Sequence, residues 1–180
     1  MSEDQVRRDR MDESEGSEDE FLATYDPSVF PRIGVTTDVI LFAEAGGRLH
    51  VLLIERGNHP YKGRWALPGG FVEPEEDLDD AARRELAEET GVMLPADVLE
   101  QVRAYGTPGR DPRMRIVTIA FSAVVPDLPQ VRGGSDAARA RFWPVDDLDL
   151  ETGAATSEGP SLAFDHNRVI ADALRHIRGE

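Results

Sequence analysis

The chain has 180 residues, 40% of them apolar, which is enough for one domain with a real core, and it has no cysteine, which excludes disulfides and Cys-ligated zinc or iron–sulfur centres. A formal charge of -15 excludes the broad basic footprint by which proteins hold DNA, RNA or an anionic membrane, so an anionic small substrate needs a local cationic device. No run approaches the roughly 20 apolar residues of a membrane span, and the start of the chain has no apolar signal core, so a cytoplasmic protein with no nucleic-acid or membrane partner is expected.

Residues 1–20 carry nine acids and three arginines and almost nothing apolar. Such a segment cannot offset its ordering entropy, and it is expected to be a disordered acidic tail, with a domain over residues 21–180 and order starting near Phe21 or Tyr25. After Pro31, "IGVTTDVILFA" and "RLHVLLIER" are aliphatic or β-branched runs separated by "EAGG", which predicts a hairpin. "RWALPGGFV" is a short strand broken by Pro68, Gly69 and Gly70. From Asp77 the period changes: Leu78, Ala81, Ala82 and Leu86 predict a helix with Asp77 as N-cap and Gly91 as its stop. "VLEQVRAYG", "RIVTIAFSAVV" and "ARFWPVDDL" read as strands, the second an interior one, and "TGAATSEGPS" as a loop. A last helix follows, with Asp165 as expected N-cap and Val169, Ile170, Ala173, Leu174 and Ile177 on one face. Strands interleaved with two helices predict a mixed α/β or α+β sandwich.

The first of these helices carries Glu85, Glu88 and Glu89 in its last turn, where the backbone dipole disfavours anions. At about 100° per residue, Glu85 and Glu89 share the side of Leu78 and Ala82, so the acids are expected to aim inward rather than into solvent. A hard divalent cation is the natural compensation for clustered carboxylates, and Mg²⁺ or Mn²⁺ also binds substrate phosphates. Immediately upstream, the glycines of "LPGGFVEPEED" let backbone approach a ligand closely.

From Gly70 the sequence satisfies G-x5-E-x7-R-E-U-x-E-E-x-G-U, with U aliphatic, through Glu76, Arg84, Glu85, Leu86, Glu88, Glu89, Gly91 and Val92. At average residue usage this match has a chance probability on the order of 10⁻⁹ per start position. The pattern is the Nudix box, and the chain resembles the Nudix hydrolases at every box position. The resemblance implies an α/β/α sandwich with a mixed β-sheet. It implies that Glu85, Glu88 and Glu89, helped by the Gly70 carbonyl, hold Mg²⁺ (or Mn²⁺), or that one of these acids serves as general base, and that Glu76 and Arg84 form a bracing ion pair. Bound metal would polarise phosphoryl oxygens and activate water for in-line attack on a diphosphate. Glu151 and Glu158, in the loop before the last helix, are further candidates for the base.

Outside the box, "VTTDVILF", "GRDPRMRIVTIAFSAVVP" and "LAFDHNRVIADAL" resemble the ADP-ribose pyrophosphatase branch and the Nudix domain of NAD-metabolism repressors built on it. That resemblance implies ADP-ribose as substrate, cut to AMP and ribose 5-phosphate, and a homodimer. Arg110, Asp111 and Arg113 are expected to clamp the diphosphate or terminal ribose, since the guanidinium fork matches phosphate oxygens, against the alternative of an ordinary charged connection. Arg56 and Arg64 have a similar claim. Tyr61, Trp65, Phe71 and Tyr105 are weighed as adenine platforms, with core or rim packing the better expectation for each. For Asp165 and His166 helix capping is expected. Two other functions stay in view: a nucleoside triphosphate or oxidised-nucleotide hydrolase on the same box, and a sensor that binds ADP-ribose without turnover. The repressors continue into a winged-helix domain, whereas this sequence stops at Glu180, so the enzyme reading is expected to prevail.

Overall fold

The computed structural model describes residues 17–134 and 137–180, and the acidic segment 1–16 expected to be disordered lies outside them. Two compact units divide the chain, Met1–Arg32 and Ile33–Glu180. In the first, Ser17 to Glu20, expected in the tail, open a helix instead. α1 (Glu18–Thr24) starts with a capping box in which the Ser17 hydroxyl accepts from the Glu20 N–H and the Glu20 carboxylate accepts from the Ser17 N–H.

The second unit is built on a seven-stranded sheet. β1 (Gly34–Ala45) and β2 (Arg48–Arg56) form the expected hairpin, turned by Gly46 and Gly47 at φ of 59° and 74°. β3 (Trp65–Ala66) and β4 (Gly69–Phe71) are short, because Leu67 and Pro68 separate what the sequence suggests is a single strand. α2 (Leu78–Thr90) leads to β5 (Glu100–Tyr105), β6 (Ile116–Val125), β7 (Ala137–Pro144) and α3 (His166–Arg178). β1 pairs with β6 in parallel over ten residues, from Gly34↔Ile116 to Ala43↔Val125, while its other partners run antiparallel, so the sheet is mixed.

Period-two alternation assigns the two faces. Ile40, Phe42, Val51 and Leu53 pack with Val169, Ile170, Ala173 and Leu174 of α3. Val39, Leu41, Ala43 and Leu52 pack with Ala82 and Leu86 of α2. Both faces of β1 are covered, which is why residues 39–43 are apolar without alternation. The result is the α/β/α sandwich that the resemblance implies.

The sheet forks, and the fork makes room for a cleft. β1 and β2 are paired only near their hairpin, from Ala45↔Arg48 to Phe42↔Val51. Beyond that they part: the first half of β1 pairs with β4 (Asp38↔Gly69, Thr36↔Phe71), and the end of β2 pairs with β3 (Ile54↔Ala66). Residues 161–163 lie along β3, with the Trp65 N–H donating to Ser161 O (3.0 Å) and the Ala163 N–H to Trp65 O (2.8 Å). The start of α3 is thereby delivered to the fork.

Candidate functional site

The fork holds a cleft of about 490 Å³, lined from β1 by Thr36 and Asp38, from β4 by Gly69, Gly70 and Phe71, and from α2 by Arg84, Glu85, Glu88 and Glu89. Arg56, Glu73, the loop residues Arg110, Asp111 and Arg113, and Phe164 and His166 also line it.

Two glycines set how closely these parts approach. A Cβ on Gly69 would lie 2.1 Å from Thr37 O and 2.9 Å from Asp38 Oδ1, so only glycine fits against β1. A Cβ on Gly70 would fall 2.3 Å from Glu85 Oε1, which shows that the Glu85 carboxylate rests on bare backbone. The Gly69 N–H donates to Glu89 Oε2 (2.9 Å).

Helix α2 begins as expected, with Asp77 Oδ1 accepting from the Leu78 N–H (2.6 Å), and it stops at Gly91, whose φ of 75° suits glycine. Of the three acids expected to aim inward, Glu89 is 5% exposed and Glu85 is largely covered, but the Glu88 side chain is 51% exposed at the rim. Arg84 joins box to helix: Nε and Nη2 bind Glu76 Oε1 and Oε2 (2.7 and 2.8 Å), and Nη2 also reaches Phe71 O (3.1 Å). Its Nη1 donates to Glu85 Oε1 (2.7 Å) and lies 3.5 Å from Glu88 Oε2. Burial, aided by the charges of Glu85 and Asp38, pushes the Glu89 carboxyl up to about 8 against the Gly69 hydrogen bond; burial also raises Glu85, against its bond to Arg84.

Among the described residues no three acidic or histidine side chains stand together as a finished metal cage, and Arg84 Nη1 lies between Glu85 and Glu88. The donor set nonetheless fits a hard divalent cation: one buried and one largely covered carboxylate, both with raised pKa, a third at the rim, and a glycine backbone with no side chain in the way.

The structure sorts the expected substrate arginines. Arg56, Arg110 and Arg113 line the cleft; Arg64 does not, because its guanidinium packs over the Tyr61 ring at 5.3 Å. Arg110 is nearly buried and gripped by Asp165, Nε to Oδ2 at 3.1 Å and Nη2 to Oδ1 at 2.6 Å. That grip corrects the expected cap: Asp165 occupies the N-cap position of α3 but makes no capping bond. Asp165→Ala leaves the Arg110 charge buried and unpaired and is expected to cost about 3 kcal/mol in denaturant unfolding. Arg113 is held by Asp111 in two bonds (3.1 and 2.8 Å) and lies 5.5 Å over the Phe71 ring.

Among the aromatic residues weighed as platforms, Phe71 lines the cleft. Trp65 packs on Trp143, Tyr105 donates to Asp172 (2.9 Å), and Tyr61 packs on Phe164. Glu151 and Glu158 are exposed and do not line it. Sequence reasoning missed Asp38, Glu73 and Phe164 and misread His166, which is buried in the cleft rather than capping. The acid inside "TTDVILF" was the available signal, since a charge within a strand apolar on both faces needs a reason to be there.

The NUDIX domain family model matches residues 32–163. The chain belongs to the NUDIX family. It is 45% identical over 166 residues to the ADPR responsive transcriptional repressor NtrR of Acinetobacter baylyi, covering 91% of this chain but 62% of that protein's length. It is 40% identical over 129 residues to the ADP-ribose pyrophosphatase of Methanocaldococcus jannaschii, 72% of this chain and 68% of that one. Among solved structures, the NUDIX domain of Shewanella oneidensis NrtR complexed with ADP ribose superposes with a TM-score of 0.78 at 34% identity, covering 90% of this chain and 99% of that domain. The NUDIX box identified in the sequence thus sits where the geometry concentrates its buried acids.

Proposed function

We propose that this NUDIX protein hydrolyses ADP-ribose to AMP and ribose 5-phosphate with Mg²⁺ (or Mn²⁺) held by Glu85, Glu88, Glu89 and the Gly70 carbonyl. The observation that carries the reading is the pair of carboxylates, the largely covered Glu85 and the buried Glu89, lying against the glycine backbone in a cleft edged by arginines. The likeness to an ADP-ribose pyrophosphatase and to a domain complexed with ADP ribose supports the substrate.

When bound, the metal polarises the diphosphate and lowers the pKa of a water. Either of Glu85 and Glu89, both deep in the cleft, would instead serve as general base toward the attacking water where it does not ligate the metal. The bond from Arg84 to Glu85 and that from the Gly69 N–H to Glu89 hold these carboxylates in place, while Glu76 anchors Arg84. Arg56, Arg110 and Arg113 supply the local positive charge that a protein of net charge -15 otherwise lacks, the last two with their orientation fixed by Asp165 and Asp111. The working form we propose is a cytoplasmic homodimer.

The deciding experiment separates products chromatographically after incubation with Mg²⁺ and either ADP-ribose or nucleoside triphosphates. AMP with ribose 5-phosphate is expected, with the highest kcat/KM on ADP-ribose. Pyrophosphate released from a triphosphate would move the function to nucleotide clean-up. The identity with the NtrR repressor favours one second reading, a sensor, and tight ADP-ribose binding without turnover would establish it.

A further inference from the structure

Two polar groups at the floor of the cleft take no part in the chemistry above. His166, the first residue of α3, is 4% exposed, and its Nδ1 accepts a hydrogen bond from the Leu67 N–H (2.9 Å). An imidazole that accepts at Nδ1 carries its proton at Nε2, and burial, the main influence, lowers the pKa of this ring, so it stays neutral. His166 therefore presents a fixed donor, Nε2–H. The neighbouring acid, Asp38, is 7% exposed; its Oδ2 accepts from the Thr118 hydroxyl (2.7 Å), and no donor among the described residues bonds Oδ1. Nε2 and Oδ1 are 3.8 Å apart, too far for a hydrogen bond to each other, and both residues line the cleft.

The pair is a donor beside an acceptor, and that decides what fits. A phosphate oxygen accepts only, so it would satisfy His166 and be repelled by Asp38. An ammonium donates only and meets the opposite conflict. An oxygen about 2.8 Å from each satisfies both if it accepts from Nε2–H and donates to Oδ1. We propose that Asp38 and His166 form a hydroxyl-recognition pair, which holds a ribose hydroxyl of the substrate or the attacking water. This rests on the diphosphate-hydrolysis reading for its substrate, and it adds a positioning role to β1 and the start of α3.

His166→Asn keeps an acceptor where Nδ1 stands, so Leu67 remains bonded, and removes the Nε2 donor. Asp38→Asn keeps a partner for Thr118 and removes the charged acceptor. Both variants and the wild type would be assayed as full chains with ADP-ribose and with analogues lacking one hydroxyl on either ribose, alongside melting temperature and Mn²⁺ affinity by electron paramagnetic resonance. For a ribose hydroxyl, the wild type discriminates roughly tenfold to a hundredfold against one deoxy analogue, and both variants abolish that discrimination. For the attacking water, both variants lower kcat by a similar factor on every analogue with KM unchanged. Either result, with Mn²⁺ affinity retained, supports the pair. Wild-type kinetics and discrimination in both variants would overturn it, as would losses that track melting temperature or metal affinity. If the wild type does not turn over ADP-ribose, the hydrolase reading fails by itself; the pair is then read from calorimetric binding of ADP-ribose and its deoxy analogues, where equal affinities in wild type and variants overturn it.

Discussion

Glu89→Gln is expected to leave the fold intact and to lower kcat on ADP-ribose by about two to three orders of magnitude. The amide keeps the shape of the carboxyl and can still accept from the Gly69 N–H, which now binds Glu89 Oε2. What it removes is the charge that holds a cation and the basicity that takes a proton. The same substitution tests the electrostatics without substrate. In the metal-free protein the Glu89 carboxyl stands at about 8 against an ordinary 4.5, so between those values the folded protein holds a proton that the unfolded chain has released. Its contribution to stability is complete below about 4.5 and is lost as pH rises through about 8. Melting temperatures of metal-free wild type should fall across that window relative to those of the Gln variant. Divalent metal should restore the wild type most at the alkaline end, where no proton competes for the site. A constant difference between the two proteins across the window would remove Glu89 as the raised group, and wild-type turnover in the variant would remove it from the site.

The second large effect separates two adjacent glycines. Gly70→Ala places a methyl on top of the Glu85 carboxylate, at 2.3 Å from Oε1. That carboxylate is the end of a flexible side chain, so it can swing aside, the fold survives, and a metal ligand is misplaced. A loss of about a hundredfold in kcat with little change in unfolding free energy is expected. Gly69→Ala drives its methyl to 2.1 Å from the Thr37 carbonyl, which is backbone in the middle of the sheet and cannot yield. That variant should lose several kcal/mol and accumulate poorly. Denaturant unfolding beside steady-state kinetics distinguishes the two; similar profiles for both would mean that the close approaches do not set the site.

The box was legible because its chemistry is local. Gly70, Glu76, Arg84, Glu85 and Glu89 lie within one short strand, the loop after it and one helix, and helical spacing alone forecasts that Glu85 and Glu89 converge. Glu88 shows the limit of that argument, since it lies about 100° round the helix from Glu89 and stops at the rim. Arg64 and Asp165 show a different limit. Both were read from their neighbours in sequence, but each is settled by an internal contact: Tyr61 claims Arg64, and Arg110, 55 residues away, claims Asp165. His166 was unreadable for a similar reason. Its meaning depends on the Leu67 amide, 99 residues earlier in the chain, and no local pattern encodes that distance.

The fork in the sheet has a thermodynamic consequence. The walls of the cleft are strand residues and helix ends tied by backbone bonds, such as the Val39 N–H to Pro68 O (2.8 Å), and a loop braced by the Asp111–Arg113 and Asp165–Arg110 pairs, so little of it needs ordering when a ligand arrives. Little main-chain freedom remains to be lost on binding, and the entropic penalty falls on side chains at the mouth, Glu88 above all. Calorimetry should therefore record a small configurational cost, with association limited by encounter rather than by rearrangement.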